Sequence, residues 1–197
     1  SAVENESAIL SNRTPEGLFK TWLRQPAAFN DVDSVVNANV LLYLGERSET
    51  RGVIAWLNDL LLDGAEMDRT WYYLDALALH YAVSRAFVHG CDGLATSRDA
   101  VVARILERQG TNGSFGDELQ TALALCALTN YGHASPDLAA AVAWLVSVQQ
   151  PDGSWPKRAF YCGPGPPWPS QVWWGSESLT TSFCLEALIR TGAGKCR

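Results

Sequence analysis

The sequence predicts an all-α fold made of helical hairpins arranged in two layers. Three observations lead to this prediction. A segment around Gln109 recurs around Gln149, 40 residues further along the chain. The helix predicted after each copy is almost entirely apolar, whereas the helix before it mixes charged and apolar residues at the spacing of a half-exposed helix. No stretch shows the polar and apolar alternation of a half-buried β-strand.

The recurring segment joins the end of one helix to a glycine turn and an aromatic residue. Residues 105–115 read ILERQGTNGSF, and residues 145–155 read LVSVQQPDGSW. Each copy is followed by an apolar helical segment, and weaker copies are predicted near Trp56 and at 22–25. Because self-similarity of this kind is typical of repeat architectures, the whole chain is interpreted as one array of similar units.

We expect four helix-turn-helix units within a single domain that spans residues 1–197. Their predicted bounds are 15–46, 51–89, 97–132 and 137–193. Acidic and hydroxyl residues precede the predicted inner helices, where such side chains cap free backbone amides. The last unit is lengthened by a proline-rich insert, since six of the nine prolines lie between residues 151 and 169. That insert is predicted to be a stiff loop over the mouth of the array, or a surface loop without a role.

Composition argues against several classes of function. The chain has 15 basic and 21 acidic residues, a net charge of −6 and no cluster of Lys or Arg, so we expect no nucleic-acid partner. No apolar run is long enough to predict a transmembrane helix. The five cysteines form no CxxC pair, which favours a reducing, cytoplasmic setting. Residues 1–6 lack the features of a signal peptide.

Part of the repeat resembles a motif of known enzymes. Trp144-Leu145, Gln149, Gly153 and Trp155 resemble the QW repeat of squalene and oxidosqualene cyclases, although the basic residue that usually precedes it is missing. The copy at 105–115 departs further, with Arg104 in the aromatic position. The chain thus resembles the terpenoid cyclase and protein prenyltransferase superfamily, and is closest to squalene-hopene-cyclase-like proteins.

This resemblance implies an α/α toroid, in which inner and outer helices form two concentric layers. Complete toroids of this type have more hairpins than the four predicted here, and an open array exposes apolar helices at its ends. The shortfall implies an incomplete ring that pairs its edges in a homodimer or belongs to a longer chain. A smaller closed barrel is the third arrangement.

Residues 31–34 read Asp-Val-Asp-Ser, which is similar to the Asp-x-Asp-Asp motif of class II cyclases. In that motif the middle aspartate protonates an alkene or an epoxide. The resemblance implies that Asp33 is the catalytic acid and that Asp31 and Ser34 are its hydrogen-bonding partners, with Ser34 in place of the third aspartate. Protonation of an alkene needs a strong acid in surroundings that exclude water.

A second interpretation of Asp33 is structural. Asp33 aligns with Asp117 and Glu177 at the starts of inner helices, and a carboxylate there caps the helix without any catalytic role. The polar residues Asn37, Asp117 and Glu177 are also candidates for substrate contacts, because they lie at the same end of the array as Asp31 and Asp33. Both interpretations of Asp33 stay open on the sequence alone.

Aromatic residues near the inner-helix starts are candidates for the wall of a substrate chamber, since aromatic faces stabilise a carbocation. These candidates are Trp71, Tyr72, Tyr73, Trp168, Trp173 and Trp174. The alternative is that they close a small hydrophobic core. The remaining tryptophans, Trp22 and Trp56 among them, are predicted to mark recurring positions of the repeat.

The sequence also lacks several motifs. No Asp-Asp-x-x-Asp motif of metal-triggered diphosphate ionisation and no zinc-ligand spacing occur, so we expect no metal and no cofactor. The favoured function is a small class II terpenoid-cyclase-like enzyme that cyclises or isomerises an isoprenoid or another apolar polyene after protonation. One alternative is a non-catalytic module that binds a lipid-like ligand or a protein partner, and another is a different natural-product enzyme on this scaffold. The expected partner is a hydrophobic small molecule, with peripheral contact to a membrane as a further expectation.

Overall fold

Helices make up most of the chain, which confirms the all-α prediction. The computed structural model describes residues 2–23, 25–26, 30–133, 136–163 and 172–193. Its α-helices are α1 (Ala2–Leu10), α2 (Ser34–Leu44), α3 (Arg51–Leu62), α4 (Leu77–Val88), α5 (Arg98–Glu107), α6 (Glu118–Asn130), α7 (Pro136–Ser147) and α8 (Glu177–Arg190). Short 3-10 helices lie at Ser48–Thr50, Glu66–Asp68 and Asp92–Ser97. Two strands, β1 (Tyr161–Gly163) and β2 (Val172–Trp174), pair in an antiparallel ribbon.

The helices pack in two layers. Helices α2, α4, α6 and α8 form an inner row in which each packs closely against the next. Helix α3 packs against α2 and α5, while α5 and α7 both pack against α6 from outside the row. The described helices therefore follow the alternation of outer and inner helices that the sequence predicts. The closed ring of a toroid stays a prediction.

Burial differs strongly along the inner row. Helix α6 is buried along nearly its whole length, as its apolar sequence predicts. Helix α8 is different, because Leu185 is 45% exposed and Ile189 is 70% exposed. Helix α8 is therefore less covered than α6, although both belong to the inner row. Helix α8 is the last of the row, so no further inner helix in the described part of the chain covers its free face.

Three turns of the same construction precede three of the inner helices. Each contains a glycine with a φ near +87°, namely Gly17 (86°), Gly113 (88°) and Gly153 (87°). Glycine adopts this left-handed backbone without a steric penalty. Two residues later comes a buried aromatic residue, and its backbone N–H donates to a side-chain oxygen in the following inner helix. These bonds join Phe19 to Asn37 (2.8 Å), Phe115 to Thr121 (3.0 Å) and Trp155 to Thr181 (3.0 Å).

The first of these turns shows where the repeat prediction fails. The repeat pattern in the sequence places the first copy at 22–25, with an outer helix inside residues 15–46, and this placement is wrong. Residues 14–19 form the glycine turn, in which the N–H of Thr14 donates to the carbonyl oxygen of Leu18 (2.7 Å). The helix that precedes this turn is α1. The signal that identifies the true copy is Gly17 followed by Phe19.

The two later turns are closed by glutamine, as the repeat motif implies. The side-chain amide of Gln109 donates to the carbonyl oxygen of Gly113 (3.1 Å), and that of Gln149 donates to Gly153 (2.8 Å). Trp155 is fully buried, and its indole N–H donates to the carbonyl oxygen of Leu145 (2.8 Å). Trp155 thereby fastens its turn to the end of the outer helix α7.

Candidate active site

Asp33 lies immediately before α2, and its side chain is fully buried. Oδ1 accepts a hydrogen bond from the backbone N–H of Val36 (3.0 Å), which is the contact of an N-cap. Oδ2 accepts from the backbone N–H of Trp71 (2.8 Å), in the segment that leads into α4. Asp33 therefore caps α2 with one oxygen and holds a neighbouring loop with the other.

Asp31 has partners of its own. Its Oδ1 accepts from the hydroxyl of Thr21 (2.5 Å), and its Oδ2 accepts from the hydroxyl of Tyr72. The Tyr72 oxygen in turn accepts from the indole N–H of Trp22 (3.0 Å). Because Thr21 Oγ1 also accepts from the backbone N–H of Asp33 (3.2 Å), Asp31 is linked to Asp33 through Thr21.

Ser34 contacts the same loop that Asp33 contacts, but it bonds Thr70 and not Trp71. Its Oγ lies 2.8 Å from Oγ1 of Thr70, and Thr70 donates its single hydroxyl proton to the carbonyl oxygen of Glu66 (2.7 Å). Ser34 must therefore be the donor to Thr70. The expectation that Asp31 and Ser34 stabilise Asp33 by direct hydrogen bonds is wrong, because backbone amides hold that carboxyl instead.

Burial dominates the acidity of Asp33. Removal of the carboxyl from water raises its pKa from 3.8 to about 6. Hydrogen bonds from backbone amides, those of Val36 and Trp71 first among them, act in the opposite direction and keep the pKa from rising further. In the described part of the chain no Arg, Lys or His forms an ion pair with Asp33. A carboxyl in this state holds a proton closer to neutral pH than an ordinary aspartate does.

Two other acids at inner-helix starts have the opposite electrostatics. At Asp75, burial favours the neutral form of the carboxyl. A bidentate pair of hydrogen bonds from Arg108 (2.6 and 2.7 Å) outweighs the effect of burial, so the pKa of Asp75 is lowered. At Glu118, burial is likewise outweighed by Arg158 (2.5 Å), so its pKa is also lowered. Asp33 differs from both because, among the described residues, no basic side chain pairs with its buried carboxyl.

The predicted aromatic residues fall into two groups joined by β1. Tyr72 is buried, whereas Trp71 and Tyr73 are half-buried beside Asp33. Strand β1 lies against this segment, since the N–H of Cys162 donates to the carbonyl oxygen of Tyr72 (2.8 Å). On the other edge of β1 lies β2, where Trp173 and Trp174 are 41% and 52% exposed. Trp168 lies outside the described residues.

The three polar candidates make contacts that the fold explains. Asn37 is buried and pairs with both backbone polar groups of Phe19. Asp117 caps α6 through the N–H of Gln120 (2.9 Å), and Glu177, the first residue of α8, accepts from the hydroxyl of Ser154 (3.1 Å). A role in substrate binding stays a prediction for all three.

Sequence reasoning missed the residues that bring the site together. Thr21, Thr70 and Glu66 carry no motif, and they reach residues 31–34 only through the tertiary fold. Trp22 is predicted to mark a repeat position, and this is wrong. Its side chain is 47% exposed, and it meets the Tyr72 ring edge to face at 5.5 Å.

Two kinds of feature are absent from the described residues. No group of three or more His, Cys, Asp or Glu side chains there is arranged to hold a metal ion. None of the helices in that part of the chain is long and apolar enough to cross a membrane.

Comparison with known proteins adds independent information about the chain. It is similar to the drimenol cyclase drtB of Aspergillus calidoustus, with 28% identity over 159 residues. The similarity supports a relationship to terpenoid cyclases. The match covers 78% of this chain and 28% of the relative, so the chain corresponds to a minor part of the relative's length. No family model matches the chain.

The raised pKa of Asp33 predicts a pH-dependent stability. The folded pKa of about 6 exceeds the ordinary 3.8, so the stability that the protonated carboxyl contributes is complete below about pH 4. It is lost as the pH rises through 6, by about 3 kcal/mol in total. Asp33→Asn cannot ionise, so its stability relative to wild type should improve by about that amount between pH 4 and pH 7. Urea unfolding of both proteins at both pH values measures this change, and a constant difference would contradict it.

Proposed function

We propose that this chain carries the catalytic acid of a class II terpenoid-cyclase-like enzyme, and that Asp33 protonates an alkene of an isoprenoid or another apolar polyene. The observation that supports this most strongly is a fully buried carboxyl that pairs with no basic side chain of the described residues and has a pKa of about 6. Perturbed acids of this kind are enriched at functional sites. The similarity to a drimenol cyclase supports the same conclusion from the sequence.

The surroundings of Asp33 suit a proton donor. At pH 7 about a tenth of a carboxyl with a pKa of about 6 is protonated, and general acid catalysis requires this protonated form. The same raised pKa makes the acid weaker, so proton transfer to an alkene depends on the groups that stabilise the anion. In the proposed step the proton moves from Asp33 to one alkene carbon, so that a C–H bond forms and the π bond breaks. A second alkene attacks the resulting cation, so that a C–C bond forms and the positive charge moves to a new carbon. The last cation loses a proton to a water molecule, and the electrons of that C–H bond form a new C=C bond. The carboxylate left behind is stabilised by the amides of Val36 and Trp71, which need no rearrangement.

In the proposed reaction, aromatic side chains close to Asp33 stabilise the cation. Tyr72 and Tyr73 are adjacent to the donor amide of Trp71, and aromatic faces attract cations. Because the match covers 28% of the relative, we assign to this chain the acid and the residues that hold it, and no particular product.

A second candidate function is a non-catalytic helical module that binds a lipid-like ligand or a protein partner. The exposed apolar residues of α8, Leu185 and Ile189, favour it, as do Trp173 and Trp174 on β2. In that case Asp33 is a cap like Asp117. The two functions differ in whether neutralisation of Asp33 removes an activity.

A pH–rate profile tests the enzymatic function. The purified chain is incubated with acyclic isoprenoid alcohols, their diphosphates and squalene, and cyclic products are quantified by gas chromatography with mass detection. We expect kcat/KM to fall about tenfold for each pH unit above the pKa of Asp33, since only the protonated acid reacts. A rate that stays level from pH 5 to pH 8 would exclude an acid with this pKa.

A further inference from the structure

We propose that Glu66, clamped by Arg104, is a positioning residue for Asp33. Glu66 fixes the loop of residues 66–71, and this loop delivers the amide that holds the carboxyl of Asp33. The inference rests on the proposed function, because positioning matters for an acid only if that acid reacts. Neither Glu66 nor Arg104 belongs to the Asp-x-Asp motif.

The clamp pairs a buried carboxylate, that of Glu66, with the guanidinium of Arg104, whose side chain is 30% exposed. Glu66 is 5% exposed, and its Oε1 accepts from a guanidinium nitrogen of Arg104 (2.6 Å) and lies 3.1 Å from Nε2 of His80. The same guanidinium donates to the carbonyl oxygens of Leu61 and Leu62, at the C-terminal end of α3. Arg104 therefore joins three elements: its own helix α5, the end of α3 and the loop that begins at Glu66.

Arg104 also explains a departure from the repeat motif. It occupies the position where the copy at 145–155 is preceded by an aromatic residue, Trp144. The indole of a tryptophan has one neutral N–H donor and no charge to pair with a carboxylate, whereas guanidinium is charged and presents several donors in a fixed fork. The change of residue type at this one position is what permits the ion pair with Glu66.

Consecutive residues of the loop connect the ion pair of Glu66 and Arg104 to Asp33 through hydrogen bonds. The carbonyl oxygen of Glu66 accepts from Thr70, so the loop is closed on itself. Residues 69–71 then contact residues 33–34 through three hydrogen bonds. These bonds run from Ser34 N to Arg69 O (2.8 Å), from Ser34 Oγ to Thr70 Oγ1 (2.8 Å) and from Trp71 N to Asp33 Oδ2 (2.8 Å).

An ion pair in this place is costly unless it fixes a geometry. Burial of the Glu66 carboxylate loses hydration that the attraction of Arg104 only partly repays, and removal of Arg104 would leave that buried charge without this partner. Catalysis, in contrast, is sensitive to displacements of about 1 Å in a reacting group. An ion pair at the base of the loop limits such displacements at the amide of Trp71, which stabilises the anion of Asp33.

The test compares Thr70→Val, Thr70→Ser and Glu66→Gln in the full chain. The pKa of Asp33 is read from its ¹³C carboxyl shift during a pH titration without substrate. With Val at position 70 or Gln at position 66, the Trp71 amide is released and the pKa of Asp33 should rise by about one unit, the effect of one hydrogen bond to a charged group. Thr70→Ser keeps the hydroxyl and should restore the wild-type value.

Ser97→Ala is the matched control. The hydroxyl of Ser97 donates to Asn58 of α3 (2.8 Å) in another buried contact, which includes none of residues 31–34 or 66–71. Its loss should lower stability as the loss of Thr70 Oγ1 does, but leave the pKa of Asp33 unchanged. Kinetics give a second readout, since Thr70→Val should lower kcat about tenfold and change KM little.

The outcomes are distinguishable. If folded Glu66→Gln keeps the wild-type pKa of Asp33, or if Ser97→Ala shifts it equally, Glu66 is not a positioning residue, whatever Thr70→Val does. If Glu66→Gln does not fold, Arg104→Lys takes its place, because it keeps the charge but loses the fork that holds Glu66, and an unchanged pKa of Asp33 in that variant has the same meaning. A turnover that survives Asp33→Asn refutes the proposed function instead, and the substrate-free titration does not depend on it.

Discussion

Replacement of Asp33 by Asn should lower the rate of cyclisation by about 10²- to 10⁴-fold, the usual contribution of a general acid. An amide has no proton acidic enough to give to an alkene. The side-chain oxygen of Asn can still accept from the N–H of Val36, so the cap of α2 is kept. The rate is measured as product formed per enzyme under conditions where far-ultraviolet circular dichroism shows an unchanged helical content.

Ser176→Asn is the control for this variant. The hydroxyl of Ser176 caps α8 through the N–H of Leu179 (3.0 Å), Asn is likewise a preferred N-cap, and Ser176 lies outside the network of Asp31 and Asp33. We therefore expect Ser176→Asn to turn over substrate at about the wild-type rate. If the two variants were equally active, Asp33 would be a cap and nothing more.

Replacement of Trp155 by Ala should cause the largest loss of stability, about 3–5 kcal/mol in the free energy of unfolding. Trp155 is fully buried, and its indole N–H bonds the carbonyl oxygen of Leu145. The alanine variant leaves a cavity between α7 and its turn, together with a carbonyl group that has lost its donor. Unfolding by urea, followed by circular dichroism, measures the difference.

Trp174→Ala provides the comparison for Trp155→Ala. Trp174 is 52% exposed on β2, and exposed substitutions usually change stability by about 0.5 kcal/mol or less. If the two variants lost similar amounts of the free energy of unfolding, Trp155 would not be the residue that holds its turn against α7.

The fold is predictable where the sequence repeats residue types. Gln109 and Gln149, each followed by a glycine turn and an aromatic residue, identify two equivalent turns from the residue types alone. The third turn, at Gly17 and Phe19, lacks the glutamine, so a tryptophan nearby in the sequence is easily mistaken for its marker. Exposure of α8 is also missed, because composition alone does not show which inner helix ends the row.

The site is predictable only in part. Resemblance to a known motif singles out Asp33, but it assigns the wrong partners to that carboxyl. The true donors are backbone amides, and backbone amides leave no trace in the residue types of a sequence. Glu66 and Thr70 are missed for a related reason, because only the tertiary fold brings their loop to residues 33–34. Thr70, for example, lies 36 residues after Ser34 in the sequence.

The most direct test of proton transfer from Asp33 is the deuterium content of the product made in D₂O. The carboxyl of Asp33 exchanges its proton with solvent, and transfer to an alkene carbon creates a C–D bond that does not exchange. We predict a single non-exchangeable deuterium per molecule of cyclised product, located by mass spectrometry and NMR at the carbon that was protonated. A cyclised product without deuterium would contradict the proposal, because it would mean that the cation arises by ionisation of the substrate and not by its protonation.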